Sequence, residues 1–305
     1  MTAQEIPEGF LRGPPPNATL HKLDFEHTTP PIPSYKGYFA AVVDDFMTEA
    51  ECKELLRLAE EQTRTQSSDS TLSPPTWERA KVNAGNGKEV MSTITRNSGR
   101  IILDSTDIAG RILDRLMPFM RECGIDRMQN KPLVTGLGPA KRGEIFRLSR
   151  LNERMRFLRY ENGDYFRPHW DGCYVTPDQE EKSLYTVHLY LNGDGEQNME
   201  ELEPHIQEAE NDNWWFSKWG DVDFGKLGSE KSRRVSPKEP SEKDETLLGG
   251  ATSFMADMDS RDPVRIFPKT GSILIFQQRN LFHGGDDVFR GVKYTVRTDV
   301  MFAKE

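Results

Sequence analysis

The chain has 305 residues, 35% hydrophobic, 29% charged and 10% aromatic, a balance that excludes a disordered chain and fits one large core with appended segments. A net charge of −9 speaks against a general nucleic-acid binder, which needs a positive footprint. No apolar run approaches the ~20 residues that span a bilayer, the N-terminus lacks the basic and apolar regions of a secretory signal, and Cys52, Cys123 and Cys173 are too few and too scattered for a disulfide framework or a zinc ribbon. The expectation is therefore a cytoplasmic protein with no membrane partner.

Residues 1–36 are rich in proline and carry little periodicity, which reads as an extended arm lying over residues 37–305. Gly37–Val43 reads as a strand. Thr48 and Glu51 form a capping box, and Cys52, Leu55, Leu56 and Ala59 then share one face of a helix running to about residue 63. Residues 64–98 are polar and loop-like. Gly99–Leu103 predicts a strand, and Ile108, Ile112, Leu116 and Met120, four apart, predict a second helix. From residue 151 the chain reads as strands at Arg154–Tyr160, Leu184–Leu191, Ala251–Met255, Val264–Phe267, Ser272–Phe276 and Val292–Phe302, separated by turn residues. Helices first and many short strands after predict an α+β fold in which helices back one sheet of a sandwich or jelly roll.

Two stretches depart from this pattern. Residues 193–247 form a long polar insert that contains Trp214, Trp215, Phe216 and Trp219, and within it 226–246 has the composition of a disordered segment. Between Lys141 and Arg159 stand seven basic residues against Glu144 and Glu153. The default reading is a solvated face paired with acids; the sharper one is a positive field that draws in an anionic substrate.

The strongest chemical signal is Phe166-Arg167-Pro168-His169-Trp170-Asp171-Gly172. In an extended chain residues two apart face the same side, so one imidazole and one carboxylate converge. His283, in Asn280-Leu281-Phe282-His283-Gly284-Gly285, follows an apolar strand and offers a third ligand. Taken singly a His is ordinarily a hydrogen-bonded structural imidazole. Two His and one carboxylate together, however, occupy one face of an octahedral metal and leave positions open, the set used by non-haem Fe(II) oxygenases. Lys293 and Arg297, ten and fourteen residues beyond His283, share one strand parity and would need an anion if both are buried.

In order, Tyr160-Glu161-Asn162-Gly163-Asp164-Tyr165-Phe166-Arg167-Pro168-His169-Trp170-Asp171-Gly172, Tyr190-Leu191-Asn192, Gly249-Gly250, Phe267-Pro268-Lys269-Thr270-Gly271 and His283 followed by Lys293 make residues 151–302 resemble the prolyl 4-hydroxylase-like Fe(II)/2-oxoglutarate dioxygenases. The resemblance implies a double-stranded β-helix, with iron bound by His169, Asp171 and His283. It implies hydroxyls of Tyr160 and Tyr190 at 2-oxoglutarate, and Lys293 or Arg297 at its distal carboxylate, with Thr186 and His188 lining the pocket. It further implies dioxygen as cosubstrate, ascorbate as a reductant, and release of succinate and carbon dioxide as an unactivated C–H bond is oxidised. The substrate class it leaves open is a small molecule or a prolyl residue of a protein. The competing readings are a zinc hydrolase using the same three ligands and a degenerate oxygenase fold serving as a binding module.

Overall fold

The computed structural model describes residues 6–65, 73–83, 88–136, 142–212, 246–260 and 262–305. The tryptophan cluster and residues 226–245 of the insert lie outside the described residues. Two sheets face each other as a double-stranded β-helix, with both long helices on the outer face of the larger sheet.

The larger, ten-stranded sheet runs in the order Thr19–Lys22, Ala40–Asp44, Ile273–Gln277, Glu181–Tyr190, Val292–Lys304, Arg154–Glu161, Gly99–Asp104 and Glu78–Arg79. Ile145–Leu151 pairs with the far end of Val292–Lys304, and Arg127–Gln129 pairs with Ile145–Leu151 in turn. The smaller sheet orders Val264–Ile266, Thr252–Phe254, His283–Gly285, Tyr165–His169 and Arg96–Asn97. Every pairing is antiparallel, and the alternation of side chains divides each central strand between two environments. Val187, Leu189, Ile273, Ile275, Val296 and Val300 point to the helices. Thr186, His188, Tyr190, Leu274 and Phe276 belong to the opposite face, toward the smaller sheet.

The helices form as their periodicity predicts. Glu49–Thr65 opens on the capping box: Glu51 N–H donates to Thr48 Oγ1 (3.2 Å) and Thr48 N–H to Glu51 Oε2 (2.9 Å). Ser105 caps Thr106–Glu122 by accepting from Ile108 N–H at 3.2 Å, and Ile108, Ile112, Leu116 and Met120 are all buried. Each such side chain contributes about 1.5–3 kcal/mol of burial.

The proline-rich segment is more than an extended cover. Thr19–Lys22 adds an edge strand to the larger sheet, and Phe10, Leu11, Phe25, Ile32 and Tyr35 are core residues. Arginines of the second helix fasten it: Arg111 donates to the Phe10 carbonyl (2.7 Å) and Arg115 to the Gly13 carbonyl (2.7 Å). The polar stretch before Gly99 carries short strands that have no hydrophobic period to announce them, among them Arg96–Asn97, and the insert opens with a helix at Met199–Asp212. Among the described residues no helix is long and apolar enough to cross a membrane.

Candidate active site

His169 and His283 are cross-strand partners on adjacent strands of the smaller sheet, and their ring centroids lie 4.5 Å apart. Asp171 follows just past the end of its strand. As the alternation predicts, its carboxylate turns inward while Trp170 between them is exposed. His169 Nε2 stands 3.6 Å from Asp171 Oδ1, and His283 Nε2 stands 3.7 Å from Asp171 Oδ2. One ligand atom from each of the three lies within 4.8 Å of the others.

The donor set suits a metal. His169 Nδ1 lies 2.9 Å from the Arg167 carbonyl and His283 Nδ1 3.0 Å from the Leu281 carbonyl. A carbonyl only accepts, so each Nδ1 carries the proton and each Nε2 turns its lone pair toward the carboxylate. Burial pushes the His283 pKa down to about 4, which keeps this imidazole neutral, the form that ligates. Burial works to raise the pKa of Asp171, but Arg297 and the two imidazoles outweigh it and hold the carboxyl well below its ordinary range. Thr186 Oγ1 donates to Asp171 Oδ2 (2.6 Å), and Arg297 donates to Oδ1 (2.8 Å).

Lys293 and Arg297 share the inward face of Val292–Lys304 but meet different neighbours. Lys293 is buried; its Nζ donates to the Gly250 carbonyl (2.6 Å) and lies 5.2 Å and 5.7 Å from the ring centroids of Tyr160 and Tyr190. Burial lowers its pKa to about 8, with Asp286 acting in the other direction. Gly249 and Gly250 make room for it: both have positive φ, and a Cβ on Gly250 would stand 3.1 Å from Lys293 Cδ. Tyr160 is the register partner of Lys293, whereas the Tyr190 hydroxyl donates to Thr252 Oγ1 at 2.7 Å. His188 lies 3.0 Å from Thr295 Oγ1 through Nε2, and burial, then Lys293 and Arg297, hold its pKa well below the ordinary value.

The basic stretch is mostly a paired outer face. Arg147 meets Glu305, Arg150 meets Glu153 and Glu181, Arg154 meets Asp104 and Arg159 meets Glu161. Arg156 differs, since it reaches the buried Asp299 (3.4 Å), which also faces Arg297 (3.5 Å). Asp299, Gln278 and Arg96 went unnoticed in the sequence. Gln278 joins Thr186 to Asp299, and Arg96 packs 4.4 Å from the centroid of the Phe166 ring, which stacks on His169. Lone polar residues on short or mixed strands carry no spacing signal.

Residues 155–298 match the family described as the 2OG-Fe(II) oxygenase superfamily, and over that stretch the chain is an oxygenase domain of this superfamily. No curated protein matches the sequence. Among solved structures the chain is similar to a viral collagen prolyl hydroxylase from Paramecium bursaria Chlorella virus-1, with 16% identity, TM-score 0.41, and 88% of this chain and 97% of that one covered. It is also similar to a Pseudomonas putida prolyl-4-hydroxylase, with 12% identity, TM-score 0.43, and coverage of 90% and 97%. A Trichoplax adhaerens prolyl hydroxylase in complex with a hypoxia-inducible-factor peptide gives 11% identity, TM-score 0.43, and coverage of 86% and 82%.

Proposed function

We propose that the chain, an Fe(II)- and 2-oxoglutarate-dependent oxygenase over residues 155–298, hydroxylates an unactivated C–H bond with His169, Asp171 and His283 as the iron ligands and Lys293 as the anchor of 2-oxoglutarate. Bound iron supplies the oxidising chemistry with dioxygen and 2-oxoglutarate, which leaves as succinate and carbon dioxide. Each chain residue has a separate task. The Arg167 and Leu281 carbonyls fix the two imidazoles, and Thr186 and Arg297 fix the Asp171 carboxylate. Lys293 offers a desolvated ammonium whose only hydrogen-bond partner among the described residues is a neutral carbonyl, so an arriving carboxylate completes its charge balance. Tyr160, opposite it, lies against the same anion, while Tyr190, whose hydroxyl is engaged by Thr252, forms wall. Substrate approaches past His169, the most exposed of the three ligand side chains at 21%, beside the exposed Trp170.

The observation that carries this reading is the convergence of three metal-type ligand atoms within 4.8 Å, together with a buried lysine that has no carboxylate partner among the described residues. Calorimetric titration of 2-oxoglutarate into Mn(II)-loaded protein tests it. Wild type binds only with metal present, and Lys293→Ala loses about tenfold or more, the scale of one charge-assisted pair. A wild-type protein that takes up Mn(II) but not 2-oxoglutarate contradicts the reading.

A further inference from the structure

The charges around the centre do not close. Arg156 and Arg297 divide Asp299 and Asp171 between them, two cations against two anions. Lys293 is left for 2-oxoglutarate. Arg96 remains, only 5% exposed. Its Nε donates to Ser98 Oγ (3.1 Å), its guanidinium lies on the Phe166 ring, and it forms no ion pair with a carboxylate among the described residues. Burial works against its charge first; the Tyr160 phenol favours it and the Arg297 guanidinium opposes it. Tyr160 acts on Arg297 and faces Lys293 as well, so three cations surround one phenol.

A buried guanidinium without an anion is a costly arrangement for stability alone, because nothing repays its desolvation. Neighbouring β-strand pairing places it with purpose: Arg96 is the register partner of Phe166, and Phe166 stacks on His169 at 3.7 Å. The guanidinium is thus one ring removed from a metal ligand, with Ser98 on Nε and the Phe166 ring on its face. The Tyr160 phenol also takes a hydrogen bond from the guanidinium, a neutral partner that leaves its charge uncompensated, so a carboxylate is the partner it lacks.

We propose that Arg96 receives an oxyanion of the substrate, so that the molecule oxidised at this centre is a small carboxylic acid. The inference rests on the oxygenase reading, since it assigns Lys293 to the cosubstrate and Arg96 to the substrate. It makes this chain an acid-metabolising enzyme, whose substrate is held at its charged end while a C–H bond further along is presented to the metal face. An uncharged peptide backbone offers Arg96 carbonyl acceptors but no charge to balance its own.

The test uses full-length protein loaded with Mn(II), which binds without turnover, and with saturating 2-oxoglutarate. Acetate and inorganic phosphate are titrated separately against chloride at equal ionic strength, and the melting temperature is read. Acetate raises the melting temperature of wild type, Arg96→Met abolishes the rise, and Arg96→Lys, which keeps the charge but not the planar guanidinium, reduces it. Without acetate or phosphate, Arg96→Met melts no lower than wild type, because an unpaired buried cation has been removed; a merely structural arginine would give a large fall. The affinity for 2-oxoglutarate changes by less than about threefold in Arg96→Met. Should that variant not fold, Arg96→Lys carries the same comparison. A wild-type response to phosphate and not to acetate replaces the carboxylic acid with a phosphate ester and overturns the substrate class. No response to either anion, an undiminished response in both variants, or a tenfold loss of 2-oxoglutarate affinity overturns the proposal. Wild type that fails to bind 2-oxoglutarate sinks the oxygenase reading instead, and the two failures are separable.

Discussion

Lys293 and Arg297 stand two repeats of the strand pleat apart, and their surroundings divide the work between them. Arg297 is already committed to Asp171, while Lys293 has only the Gly250 carbonyl. Because burial lowers the lysine pKa to about 8, and an anion binds only the charged form, affinity for 2-oxoglutarate falls as pH rises from 7 through 9. Lys293→Met binds weakly throughout and shows no such slope; calorimetry at three pH values reads both. His169 and Asp171 were legible in the sequence through the period of two in an extended strand, and His283 through the apolar strand before it. Arg96 was not legible. Its strand is two residues long and exists only because Tyr165–Phe166 lies beside it, so no local spacing announces it.

At the scale of elements, the turn between Arg154–Glu161 and Tyr165–His169 has positive φ at Asn162 and Gly163, the two residues that pass most easily into the left-handed region. Asp164 closes that turn by accepting from Glu161 N–H at 3.3 Å, and burial raises its carboxyl to about 7. A folded-state pKa above the unfolded one means that stability is fully present at acid pH and declines as pH rises from about 4 to 7. Asp164→Asn removes the titration, keeps an acceptor for Glu161, and is more stable than wild type at pH 8 by on the order of 1–2 kcal/mol. Equal pH slopes for the two proteins in denaturant unfolding would refute this. The Gly249-Gly250 corner is equally specific: a Cβ on Gly249 would stand 2.3 Å from the Asp287 carbonyl, so Gly249→Ala distorts the strand that faces Lys293. Weaker 2-oxoglutarate binding with the fold retained, read by calorimetry and circular dichroism, is the expected result. The long helices and six of the strands announced themselves by period and by the turn residues between them. The strand at Ile145–Leu151 did not, because a register shift between Leu148 and Arg150 breaks its alternation.

For the whole molecule, the helices, the larger sheet and the N-terminal segment form one core, and the metal-type ligands stand on the opposite, smaller sheet. Of residues 6–36, Phe10 and Leu11 join that core, and Phe25, Ile32 and Tyr35 pack in a second cluster with Tyr190, Phe254 and Phe276. Their joint burial, roughly 10 kcal/mol at ~2 kcal/mol each, rivals the total stability of a domain. Removal of residues 1–36 therefore leaves a chain without a cooperative thermal transition, although composition alone presents the segment as an extended arm lying over the core. Tyr35 also ties this segment to the site, since its hydroxyl accepts from Phe282 N–H at 3.0 Å beside His283 and donates to the Met255 carbonyl. The central claim is that this scaffold presents an iron centre that oxidises 2-oxoglutarate, and uncoupled turnover tests it most directly. Protein reconstituted with Fe(II) and ascorbate forms succinate from 2-oxoglutarate, small carboxylic acids accelerate it, and His169→Ala, folded to the same melting temperature within a few degrees, forms none above background. Absence of succinate from well-folded, iron-loaded wild type, or succinate formed equally by His169→Ala, would contradict the account.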